Sequence, residues 1–125
     1  MLYRYEFESG CEYPHTGFLC GLDELFEEFN DNLFKAIGFF EDNLDCPGEC
    51  FYDKTLPRLV CYFTEKGNKK FRKSIKNIKE EVNKININMI KLTLDESIID
   101  KIYYEDKYQV VIDVKYIEKS NIMKS

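Results

Sequence analysis

Hydrophobic and polar positions alternate strictly over Leu2–Glu8, with Tyr3, Tyr5 and Phe7 on one side and Arg4, Glu6 and Glu8 on the other. A period of two is the pattern of a half-buried strand. Ser9–Gly21 is interrupted by Gly10, Pro14, Gly17 and Gly21 and reads as a loop. From Leu22 the period lengthens. Leu22, Leu25, Phe26, Phe29, Leu33, Phe34 and Ile37 form one apolar helical stripe, and Gly38 stands where a left-handed cap would end it. Phe39–Pro57 is again irregular. Arg58–Phe63 is apolar almost throughout and reads as a buried strand.

Thr64 is placed to cap a second helix, whose stripe is Phe71, Ile75, Ile78, Val82 and Ile85. Ile90, Leu92 and Leu94 predict a third strand. Ile102–Tyr104 and Tyr108–Tyr116 predict two more, joined by a tight turn at Glu105–Lys107. The tail from residue 118 to 125 is expected to fray. The order β-α-β-α-β-β-β, with no repeat and no linker, predicts a single α+β domain over residues 1–117. In it, two helices pack on one face of a mixed, mainly antiparallel sheet.

The 125 residues suit one domain. No apolar run approaches the roughly 20 residues of a membrane span, and the N-terminus lacks the basic and apolar segments of a secretory signal. A cytoplasmic protein without a membrane partner is expected. Lys, Ile, Phe, Asn and Tyr supply 55 of the 125 residues and Ala only one, a bias towards A/T-rich codons that fits a bacterial or phage genome.

The net charge of −5 conceals two unlike halves. Residues 1–55 hold 13 acids and 3 bases; residues 56–125 hold 10 acids and 15 bases. The acids Asp23, Glu24, Glu27, Glu28 and Asp31 share the exposed side of the first helix, and Glu41 and Asp42 extend them beyond Gly38. Like charges four apart on a helix oppose its formation by a few tenths of a kcal/mol per pair, about 0.2–0.5. A sequence optimised for stability alone would mix the signs here. These seven acids, with Phe39 and Phe40, are the candidate partner-binding residues; the competing reading is a solvated, solubilising face. A basic surface on another protein, such as one that handles nucleic acid, would complement them. Direct binding of nucleic acid is disfavoured by the acidity of the chain, and a monomer or homodimer is expected.

Five cysteines, an odd number, argue against a disulfide framework. Cys61 lies within the apolar strand and reads as core. Cys11-x3-His15 and Cys46-x3-Cys50 could together supply a zinc site that orders two long loops, although knuckles usually use Cys-x2-Cys. Cys20, near a helix start with His15 five residues earlier, could act as a nucleophile. Phosphate-binding loops and the common hydrolase and zincin motifs are missing from the sequence.

The leading expectation is therefore a non-catalytic protein-binding module, a small inhibitor or adaptor using the acidic helix and its loop aromatics. Phage and mobile-element proteins that block host defence, anti-CRISPR inhibitors among them, share this small, acidic, motif-free character. That is a likeness of type, carried by no residue motif. The alternative is a zinc-stabilised or cysteine-dependent domain.

Overall fold

A computed structural model describes residues 1–124. The first strand, β1 (Leu2–Phe7), forms where the alternation requires it. Two helices follow in place of the single predicted one: α1 (Phe18–Leu25) and α2 (Asp31–Asn43). The apolar stripe continues across the interruption, because Leu22, Leu25, Phe26, Phe29 and Leu33 all join the same core. Periodicity therefore does not reveal the break. Its cause is Asn30, whose side chain accepts a hydrogen bond from the Leu33 N–H at 2.9 Å and starts a new helix. Two expectations fall with it. Gly38 is interior to α2 instead of capping a helix, and Phe34 points to solvent at 61% exposure instead of into the core.

A short helix, α3 (Gly48–Tyr52), lies in the second irregular stretch and buries none of its residues. β2 spans Leu59–Phe63. Thr64 caps α4 (Glu65–Lys70) as expected, accepting from the Gly67 N–H at 3.0 Å. The chain kinks at Phe71 and continues as α5 (Arg72–Asn83). Phe71, Ile75, Ile78 and Val82 are buried, whereas Ile85 lies beyond the helix and is exposed. Gly67 is required by contact: a Cβ there would overlap the Tyr108 carbonyl, which crosses directly over α4.

β3 (Met89–Leu94), β4 (Tyr104–Glu105) and β5 (Gln109–Asp113) follow. The expected long final strand stops at Asp113, and Val114–Lys119 turn into a 3-10 helix. The C-terminal segment expected to fray instead forms β6 (Asn121–Lys124), paired antiparallel to β3. The six strands lie in the order β4-β5-β2-β1-β3-β6, and every pairing is antiparallel. The chain is an α+β domain, as its patterning predicts. No helix among the described residues is long and apolar enough to cross a membrane.

Both faces of the sheet are covered. On one, Tyr5 and Phe63 meet Phe18, Phe40, Phe71 and Ile78 from the helices. The rings of Phe40 and Phe71 stack with centroids 4.7 Å apart, and Phe18 meets Phe40 edge-on at 5.3 Å. On the other, Leu2, Tyr62, Leu92 and Ile112 pack against Tyr116 and Ile117 of the second 3-10 turn. β1 is therefore buried on both sides, and its polar residues Arg4 and Glu6 are only 5% and 6% exposed.

Candidate interaction surface and the Glu6–His15 cleft

The acids picked out in the sequence occupy α1, the turn after it, and both ends of α2. Asp23 and Glu24 end α1, Glu27 and Glu28 lie in the turn, Asp31 opens α2, and Glu41 and Asp42 lie near its close; all seven are exposed. Glu24 accepts a hydrogen bond from the Glu12 N–H at 3.1 Å. Among the described residues, Asp23, Glu27, Glu28, Asp31, Glu41 and Asp42 have neither an ion-pair partner nor a side-chain hydrogen bond.

The basic half does not neutralise these acids, although α2 packs directly on α5. Besides the apolar core the two helices share, one carboxylate from the basic side links them. Glu81, 4% exposed, receives the amides of Asn30 and Asn32 and the Lys84 ammonium, the last at 2.7 Å. These donors hold its carboxyl below the ordinary glutamate range, the Lys84 bond being the largest cause.

The two aromatics singled out with the acids part company. Phe39 is partly exposed, its ring edge-on to Phe71 and the Lys70 ammonium 5.6 Å above it. Phe40 is 1% exposed in the centre of the helix-side core, so it is removed from the candidate surface. Phe34 takes its place, a residue the stripe had assigned to the interior.

The structure brings no three His, Cys, Asp or Glu side chains into a group that could hold a metal, among the described residues. Cys11 lies beside Gly21 and Glu24, and burial together with the Glu24 carboxylate pushes its thiol up to about 11. Cys50 points its thiol at the Tyr103 carbonyl, 3.6 Å away, and Cys46 is exposed. Cys61 donates to the Gln109 side-chain oxygen at 3.0 Å, and burial raises its thiol to about 12. A thiol raised this far is protonated at neutral pH and is a poor nucleophile. Cys20 is exposed within the first turn of α1.

His15 is engaged elsewhere. Its Nδ1 lies 3.2 Å from Glu6 Oε1, and the other Glu6 oxygen takes Arg4 Nε at 2.7 Å. Arg4 also donates to the His15 carbonyl at 2.7 Å and to the Cys61 carbonyl at 2.9 Å. Because a carboxylate only accepts, the imidazole proton sits on Nδ1. His15 adopts a left-handed backbone, φ 61°, which costs a non-glycine residue energy and which the closed Arg4–Glu6–His15 ring sustains. This ring pins the Ser9–Gly17 loop over β1, and its Glu6 and His15 line a cleft of about 250 Å³ together with Tyr13 and Ile90. Sequence reading missed it, since Arg4 and Glu6 alternate with tyrosines and look like a solvent face. Their opposite signs two residues apart, in a chain with one histidine, were the available clue. No family model, no curated protein and no solved structure matches this chain.

Proposed function

We propose that this chain is a non-catalytic protein-binding module, an inhibitor or adaptor that docks its acidic surface onto a basic surface of a larger cytoplasmic protein. One observation carries the reading: six exposed carboxylates from Asp23 to Asp42 have no partner among the described residues although a basic helix lies next to them. Unpaired like charges spaced along one surface weaken a monomer slightly and accelerate encounter with an oppositely charged partner. A groove built for nucleic acid presents the complementary charge. Blocking such a groove is the mode of action that an anti-defence protein of a phage or mobile element, an anti-CRISPR inhibitor for instance, would use.

Reversing Glu24, Glu27 and Glu28 to Lys tests the reading. Tagged wild-type and triple-variant proteins are incubated with bacterial lysate, captured proteins are quantified by mass spectrometry, and the enriched partner is titrated in rising salt. Capture is expected to fall at least about tenfold in the variant, with binding that weakens steeply with ionic strength. Thermal stability is expected to change little, because loss of the exposed Glu24 bond to the Glu12 N–H is offset by a lower density of negative charge. Equal capture by both proteins would refute the reading, as would a variant that unfolds yet binds normally per folded molecule.

A further inference from the structure

The outward face of α2 carries two choices that packing inside the molecule does not explain. Phe34 is 61% exposed, an unusual position for phenylalanine in the middle of a helix. Its ring lies edge-on against Phe29 with centroids 5.9 Å apart, a contact that restrains it on one side. Gly38 lies one turn further on. Glycine inside a helix lowers stability, and it is usually retained where another group comes close. Here a Cβ would meet nothing within 4 Å, so nothing in this chain requires the glycine. At about 100° per residue, Asp31, Phe34, Lys35, Gly38, Glu41 and Asp42 fall within one arc of about 120°. Leu33, Ala36 and Phe40 face the opposite way into the core. The arc thus holds an exposed aromatic beside bare backbone, bordered by three carboxylates against one ammonium.

Resting on the acidic-surface reading, we infer that this face of α2 is the centre of the interface and that its occupant is a protein segment presenting an apolar side chain between lysines or arginines. The apolar side chain sits against Phe34 and over the Gly38 backbone, where any larger residue would hold it off. The flanking cations meet Asp31, Glu41 and Asp42. Charge complementarity selects this partner over a second copy of the chain, whose own α2 would bring Asp31 and Glu41 against like charges. An aromatic at the middle of a charged rim is the usual arrangement of an interface hot spot.

The test uses two fluorescein-labelled helical peptides, one with leucines along one face and lysines along the other, and the same peptide with serine in place of leucine. Affinities are measured by anisotropy for wild type, Phe34→Ala, Gly38→Ala and the Glu24, Glu27, Glu28 to Lys variant, with sedimentation velocity run alongside. The lysine–leucine peptide is expected to bind wild type most tightly. Phe34→Ala should weaken it about tenfold. Gly38→Ala should weaken it about fivefold while raising the melting temperature, an opposition of signs that a merely structural role for Gly38 would not produce. If Phe34→Ala and Gly38→Ala bind like wild type while the charge reversal does not, or if the serine peptide binds as well as the leucine one, this inference falls and the acidic-surface reading stands. If neither peptide binds, both fall. Self-association abolished by Phe34→Ala would assign the face to a second copy and overturn the inference.

Discussion

Arg4 and Glu6 form an ion pair within 2.7 Å on the central strand, in a face otherwise lined by Leu2, Tyr62 and Leu92. Desolvating two charges is costly, and the attraction between them repays that cost only when their buried polar atoms also find partners. Here they do, since Arg4 also holds the Cys61 and His15 carbonyls and Glu6 also holds the His15 ring. Arg4→Met leaves a buried carboxylate facing a single imidazole and is expected to destabilise the domain by about 3–5 kcal/mol in urea unfolding. The double variant Arg4→Met with Glu6→Leu should recover much of that loss. Equal destabilisation by the single and double variants would mean that the pair is not what matters at this site. Strict alternation around tyrosines made both residues legible as a strand but not as buried. Whether a strand's second face is covered depends on loop Ser9–Gly17 and on the C-terminal turn, which the local pattern does not encode.

The elements were legible wherever one period ran uninterrupted, as in β1, β2 and the Phe71–Val82 stripe. They were misread where a polar side chain redirected the backbone while the stripe continued. Asn30 is the clearest instance, one side chain that caps α2 and also binds Glu81 across the α2–α5 contact. Misplacing that break put Phe34 inside and Gly38 at a terminus, so the centre of the surface was missed even though the acids around it were found. Glu81 links pH to this junction. Its carboxyl is held below the ordinary value of 4.5 in the folded chain. The stability it contributes is therefore complete above 4.5 and is lost as pH falls through the folded value. Glu81→Gln is expected to be less stable than wild type at pH 7, with the difference shrinking as pH falls below 4.5 through the lowered folded value. A difference that stays constant over that range in chemical denaturation would show that Glu81 acts through packing and not through charge.

At the scale of the whole molecule, the sheet sits between four helices on one side and the 3-10 turn of Val114–Lys119 on the other. The two covers differ greatly in size, yet both are needed. Ending the chain before residue 121 removes β6, whose Ile122 and Met123 are already exposed, and should lower stability by about 1–3 kcal/mol without unfolding the domain. Ending it before residue 114 also strips Tyr116 and Ile117 from Leu2, Tyr62 and Ile112, and that chain is expected to be insoluble or unfolded by circular dichroism. Comparable stability in the two truncations would show that the second face is not a core. The charge asymmetry legible in the sequence persists at this scale, as the acidic α2 and the basic α5 lie side by side without pairing across their exposed faces.

The position of β1 at the middle of the sheet has a consequence for how the chain is made. β1 is synthesised before both of its neighbours, pairing through Tyr3 with Phe63, 60 residues later, and through Leu2 with Leu94, 92 residues later. One neighbour is complete only at residue 63 and the other only at residue 94. Until then Tyr3, Tyr5 and Phe7 travel as an unpaired, aromatic-rich edge, open to the wrong partner. Closing such long loops before any contact rewards them places folding in the milliseconds-to-seconds range of non-local β topologies, not the microseconds of helical bundles. Slowing translation before residue 94 is therefore expected to lower the soluble yield more than slowing it afterwards, as measured on synonymous-codon variants.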